Sequence, residues 1–251
     1  MEVHQHPHSH STKNWKQYFW EFLMLFLAVF CGFLAENQRE HIVEHQREKK
    51  FMETLYDDLK KDTADLNNDI RWWNNMISRI DTIRNEIEKP ADKRNLLLLY
   101  RNAGLVRNYN SFEYHDRTIQ QLKNGGNFRL IGNKGIADSL IDYDANILTE
   151  LKDQELQSNA IYQQVNFMQD KIFNSKYFHL TYQPSYLLDS VFKVDPEAFG
   201  LSSVAKTDLM QYYNHLEFYR RMSSYRIGAM KTLYHRAMML IESLNKEYKL
   251  K

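Results

Sequence analysis

Cysteine is almost missing from this chain. Cys31 is the only one, so no internal disulfide can form, and every residue outside the apolar segment that holds it is thiol-free. That composition suits an oxidising compartment. Helix breakers are scarce as well: 8 glycines and 4 prolines in 251 residues, with Pro90, Pro184 and Pro196 the only prolines beyond the first ten positions. Long stretches free of both favour helices over turn-rich β-structure. A charge bias is also lacking, since 33 Lys and Arg face 32 Asp and Glu. The balance persists after residue 50, at 27 against 26. A nucleic-acid binder shows a basic face, and the balance gives no support for one.

What the chain does have is one long apolar run. Tyr18 to Ala35 reads YFWEFLMLFLAVFCGFLA, with Glu21 its only ionisable group. Eighteen residues at a rise of ~1.5 Å extend roughly 27 Å, close to the ~30 Å of a bilayer core. Ten of them are Leu, Val or Phe, worth together about −3 to −6 kcal/mol on insertion, which outweighs one glutamate near the edge. Trp15, Tyr18 and Trp20 form an interfacial belt with Lys13 and Lys16 behind them. The run is apolar all round rather than striped. Phe33 and Ala35 do not make a leader-peptidase site, and Phe30 before Cys31 is too large for a lipoprotein signal. A buried core helix would also accommodate the run Phe22–Ala35, but the flanking tryptophans and lysines favour an uncleaved single-pass anchor. Orientation rests on opposed signals. Arg39, Arg47, Lys49 and Lys50 follow the span and count toward a cytoplasmic domain, yet long following domains translocate largely regardless of charge. The reading adopted is an extracytoplasmic domain.

Beyond the span the pattern changes twice. Residues 36–50 (ENQREHIVEHQREKK) are a polar stalk with eight charged residues in fifteen. From Met52 an apolar seam follows steps of three and four through Leu55, Leu59, Leu66, Ile70, Trp73, Ile77, Ile80 and Ile87, ending at Pro90. A second helix is expected over Ala91–Leu105 with the run Leu96–Leu99 buried. A third is expected over Ser111–Lys123, started by Asn110 with Glu113 and stopped by Asn124-Gly125-Gly126. Asn133 can cap a fourth, with the seam Ile136, Leu140, Ile147, Leu151, Ile161, Val165, Met168 and Ile172. A last helix from about Val204 carries Leu209, Tyr213, Leu216, Ile227, Tyr234, Met238, Ile241 and Leu244. The chain therefore divides into a His-rich tail (1–17), a transmembrane helix (18–35), a charged helical stalk (36–50) and an all-α domain (51–251). Narrow coiled-coil-like seams on long helices imply an antiparallel helical bundle.

The string from Trp15 to Glu36, with the later runs Thr118-Ile119-Gln120-Gln121-Leu122-Lys123, Phe128-Arg129-Leu130-Ile131 and Ala137-Asp138-Ser139, resembles a family of membrane-anchored bacterial proteins of unassigned function. The likeness is sharp over about forty residues. It implies a single-span protein of gram-negative bacteria, and it carries no catalytic residues over.

Candidate chemistry is sparse. His4, His6, His8 and His10 alternate in a tail that can chelate Zn, Ni or Cu, though nothing nearby would order them. His41-Ile42-Val43-Glu44-His45 matches the inverted zinc-protease motif HxxEH, in a charged stalk with no assignable third ligand. Gly125-Gly126 to Gly132-Asn133-Lys134-Gly135 lacks the spacing of a phosphate loop, and turn and cap chemistry explain it better. No histidine has Glu three residues before it, which removes a di-iron bundle. Arg129 and Asp138 are placed to pair structurally across this turn. The connection Tyr177–Ser203 holds Tyr177, Phe178, Tyr182, Tyr186, Phe192 and Phe199. It is either a binding feature or, through Leu187, Leu188, Val191 and Phe192, a short helix closing the bundle. No cofactor and no enzymatic activity are expected. The function implied is a membrane-anchored scaffold or interaction domain that meets the bilayer through Tyr18–Ala35 and a protein partner or its own copy elsewhere. The alternative is an extracytoplasmic small-ligand sensor acting through a partner.

Overall fold

The computed structural model describes residues 14–178 and 200–250, with 150–155 as backbone alone. The described chain is all-α, five helices of eight residues or more with short 3-10 turns, and the only β-pairing in it is an isolated bridge between Phe173 and Leu201. The helices are α1 (Trp15–Glu88), α2 (Leu96–Val106), α3 (Arg117–Asn124), α4 (Lys134–Ile172) and α5 (Lys206–Tyr248). The chain divides between Lys50 and Phe51 into two compact units, although α1 runs through that boundary for 74 residues without a break.

In the first unit α1 is long and apolar enough to cross a membrane, and none of its most apolar stretch is buried in the protein. Phenylalanines one turn apart share a face: the rings of Phe22 and Phe26 lie 6.3 Å apart and those of Phe26 and Phe30 5.8 Å apart. The stalk sequence that follows is helical throughout. Its side chains pair locally, as in the Glu36–Arg39 ion pair.

The second unit is built on a 3.6-residue repeat. Along α1 the buried apolar side chains are Met52, Leu55, Leu59, Leu66, Trp73, Met76, Ile80, Ile83 and Ile87, a single stripe. Pro90 ends the helix because its ring cannot continue the hydrogen-bond ladder. The corner is then tied down: Arg94 Nη2 donates to Ile87 O (3.0 Å) and Asn95 N donates to Glu86 Oε2 (2.8 Å). The second helix starts later than the sequence suggests. Residues Ala91–Lys93 form one 3-10 turn, and the Asn95 side chain accepts from Leu98 N to cap α2. Of the run Leu96–Leu99 only Leu99 is fully buried.

The larger correction concerns Ser111–Lys123. Residues 107–116 are not helical, and α3 begins only at Arg117. Asn110 does not cap a helix, because its side chain donates to Asp69 of α1 (2.6 Å). The N-terminus of α3 is capped from another helix: Thr118 donates from its N (3.2 Å) and its Oγ1 (2.5 Å) to Asp58. The segment is thus a strap running back along α1. Gly126, at φ 61, makes the left-handed turn after α3. Asn133 caps α4 by accepting from Gly135 N and Ile136 N.

Helix α5 runs antiparallel to α4, since Lys171 Nζ donates to Asp208 (2.7 Å) at one end while Asn133 donates to Glu247 (3.1 Å) at the other. It is antiparallel to α1 too, with Arg84 bonded to Tyr213 (2.8 Å) and Arg220 to Asp81 (2.7 Å). The buried seam of α5 steps by four and three: Tyr212, Leu216, Tyr219, Ser223, Arg226, Met230, Leu233, Ala237, Leu240 and Leu244. Of the seam expected from sequence, Leu209, Leu216, Ile227 and Leu244 are buried and the other four are not. Met238 is exposed, and Tyr213, Tyr234 and Ile241 lie only on the flank of the core.

Candidate functional site: a ladder of carboxylates and the strap it holds

Asp58, Asp62, Asp65 and Asp69 are spaced four, three and four residues apart, so they line one face of α1. Three of them, Asp58, Asp62 and Asp69, are buried. A strap without helical hydrogen bonds must find acceptors for its donors, and these carboxylates supply them. Asp62 Oδ1 accepts from His115 N (2.9 Å) and from His115 Nδ1 (3.1 Å), and its Oδ2 accepts from Tyr143 OH of α4 (3.0 Å). Asp144 of α4 accepts from Tyr114 OH (3.0 Å) and from Lys123 Nζ. The ladder therefore joins α1, the strap, α3 and α4 in one polar layer within the apolar core.

Burial dominates the electrostatics. Desolvation pushes the Asp62 carboxyl above its ordinary value of 3.8, and the bonds from His115 and Tyr143 offset this only in part. Asp69 is raised for the same reason, tempered by Asn110 and Arg226. Tyr143 and Tyr114 are pushed upward by burial and then by the carboxylates they bond, Asp62 and Asp144. An acid with a raised folded-state pKa binds its proton more tightly in the native chain than in the unfolded one. Its contribution to stability is present below pH ~3.8 and is lost as pH rises through the folded value. Wild type should therefore lose stability relative to Asp62→Asn as pH rises across that window. Urea midpoints of both proteins from about pH 4 to pH 7 test this; a difference constant with pH would contradict it.

His115 beside a buried carboxylate has the orientation of an acid–base dyad, with Nε2 left as the acceptor when Nδ1 carries the proton. Access decides its role. The space between Leu55, Asp58, Asp62, His115 and Tyr143 is only about 10 Å³, room for one water molecule at most. No substrate fits there. The arrangement fixes the strap.

The sites named from sequence lie elsewhere. His41 and His45 are exposed one turn apart on α1, and His45 Nδ1 is 3.1 Å from Glu48 Oε2. Among the described residues no three His, Cys, Asp or Glu side chains are grouped to hold a metal ion. His4, His6, His8 and His10 lie outside the described residues, as do Tyr182, Tyr186, Leu187, Leu188, Val191, Phe192 and Phe199. The ends of that connection are described: Phe178 packs on Tyr100 with ring centroids 5.5 Å apart, and Tyr100 OH donates to Gly200 O (2.6 Å). The glycines at 125–126 and 132–135 serve the turn and the α4 cap. Asp138 is exposed on α4, and Arg129 lies in the preceding 3-10 turn.

A second buried cluster, not foreseen from the sequence, sits where Trp73 meets α5. Arg226 lies over the Trp73 ring at 4.8 Å and donates to Tyr109 OH (3.2 Å), while Tyr219 packs edge-on against Trp73 at 6.2 Å. The Tyr219 hydroxyl is buried with no hydrogen-bond partner. Alternating apolar spacing gave no hint of it, because an Arg and a Tyr on a seam read as solvent face and flank.

No protein-family model matches this chain, and no curated protein or solved structure is significantly similar to it. The fold and the site together define the class: a protein all-helical over its described residues, with one membrane-length apolar helix among them and a helical domain braced by a buried carboxylate ladder.

Proposed function

We propose that the chain is a membrane-anchored scaffold or protein-interaction domain. The observation that carries this is the apolar stretch of α1, long enough to cross a bilayer and left uncovered by the described residues. An apolar surface of that size is stable only in lipid or against another apolar surface. Trp15 and Trp20 suit the interface at its N-terminal end. The likeness of Trp15–Glu36 to single-span bacterial proteins supports an inner-membrane site, and the tendency of long following domains to translocate regardless of charge supports an extracytoplasmic helical domain. The carboxylate ladder supports a structural rather than a catalytic domain, since the space beside Asp62 and His115 is only about 10 Å³.

Washing membranes with alkaline carbonate tests the anchor. The full chain is expected to stay in the pellet and to leave it only with detergent. Recovery of the intact chain in the carbonate supernatant would overturn the proposal.

A further inference from the structure

Contacts beyond both ends of α2 fix how it lies against α1. Just before α2, Asn95 N donates to Glu86 Oε2 (2.8 Å). Just after it, the Tyr109 ring meets the Trp73 ring with centroids 6.3 Å apart, and Asn110 donates to Asp69 (2.6 Å). Moving forward along α2 therefore means moving back along α1. Arg101 stands near the midpoint between Asn95 and Tyr109, and Arg79 near the midpoint between Glu86 and Trp73, so this register sets the two arginines level. Both are half-buried. Their electrostatics agree with the register: the Arg79 guanidinium is pushed below its ordinary value by burial and then by the charge of Arg101.

Neither arginine has a hydrogen bond or an ion pair with the described residues. The carboxylates of this part of α1 are engaged elsewhere. Asp81 pairs with Arg84 and Arg220, Glu86 with Lys89 and the Asn95 N–H, and Glu88 accepts from Tyr213. Helix α2 carries no acid at all. Two like charges are thus held side by side, partly out of water, with no counter-charge beside them. Such an arrangement costs stability unless an anion joins it.

We propose that Arg79 and Arg101 form an oxyanion site that takes phosphate or the phosphoryl group of a small ligand. This goes beyond the scaffold reading and does not rest on it. Charge selects the class of ligand. A phosphoryl group carries about −1.5 to −2 at neutral pH, enough to offset both guanidinium groups, whereas one carboxylate leaves one of them uncompensated. Shape selects the same class. A guanidinium presents parallel N–H groups that match two oxygens of an oxyanion, and a tetrahedral phosphate has oxygens for both arginines.

The test uses the full chain in non-ionic detergent micelles. Equilibrium dialysis of radiolabelled inorganic phosphate, at ionic strength fixed with chloride, should show one phosphate bound per chain. Arg79→Gln and Arg101→Gln should each weaken binding at least tenfold. Arg71→Gln, exposed on α1 and bonded to Asn68, should bind as wild type does. Thermal melts separate binding from a structural role. Without phosphate, Arg79→Gln should melt no lower than wild type, because it removes an uncompensated charge. With phosphate at about ten times its dissociation constant, wild type should rise by about 3–6 °C more than either variant. That difference is the signal, since phosphate also stabilises proteins generally by exclusion from their surfaces. Micelles containing phosphatidic acid distinguish the source: an arginine-dependent rise with free phosphate assigns a soluble ligand, and one seen only with phosphatidic acid assigns a lipid headgroup. No arginine-dependent binding or rise in either arm, or an Arg79→Gln protein that melts well below wild type without phosphate, would overturn the proposal.

Discussion

Asp62→Ala is expected to destabilise the helical domain by about 3–5 kcal/mol, because it leaves the donors His115 N, His115 Nδ1 and Tyr143 OH without their shared acceptor in the core. In a domain of this size that is a fall in Tm on the order of 10 °C. The neighbouring Asp65 is the control. It lies 3.8 Å from His115 and its side chain is 40% exposed, so Asp65→Ala should cost less than about 1 kcal/mol. Amide exchange gives a local readout: residues 107–116 should lose protection in Asp62→Ala well before α4 does. Equal melting of the two alanine variants would show that the ladder does not hold the strap.

The second large effect is expected at the aromatic junction of α1 and α5. Trp73 is buried between Tyr109, Tyr219 and Arg226. Trp73→Ala should cost about 3–5 kcal/mol, the range for removing a large buried ring. Its partner should behave in the opposite way. Burial raises the Tyr219 hydroxyl's pKa and leaves it with no hydrogen-bond partner, so Tyr219→Phe deletes an unsatisfied polar group. That change should be neutral or stabilising by up to about 1 kcal/mol. Thermal melts of the two variants separate packing from polarity at a single contact. A Tyr219→Phe protein that melts well below wild type would mean that the hydroxyl is bonded in solution.

The apolar helix was legible in sequence because insertion depends on composition over about twenty consecutive residues. The seam of α1 was legible too: Met52, Leu55, Leu59, Leu66, Trp73, Ile80 and Ile87 are buried, and Ile70 and Ile77 pack half-buried beside them. On α5 the spacing was half legible: Leu209, Leu216, Ile227 and Leu244 are buried, but Tyr213, Tyr234, Met238 and Ile241 are not. Tyrosines at 212, 213 and 219 suit core and flank equally, and Ser223 and Arg226 interrupt the apolar count although both are buried. The strap was misread for a related reason. Asn110 and Glu113 carry a local helix-start signal, but Asn110 bonds to Asp69, 41 residues away.

Sequence alone determined what is set locally. It showed where the chain is too apolar for water, where proline stops α1, where Asn133 starts α4, and that most of the described remainder is helical. Tertiary structure decided which polar groups are buried. Asp58, Asp62, Asp69 and Asp144 look like solvated helix surface when counted by hydropathy, and they become interior acceptors only because the strap, α3 and α4 bring donors to them. Burying a carboxylate is costly unless donors reach it, and those donors come from 21 to 81 residues along the chain, beyond the reach of any local pattern.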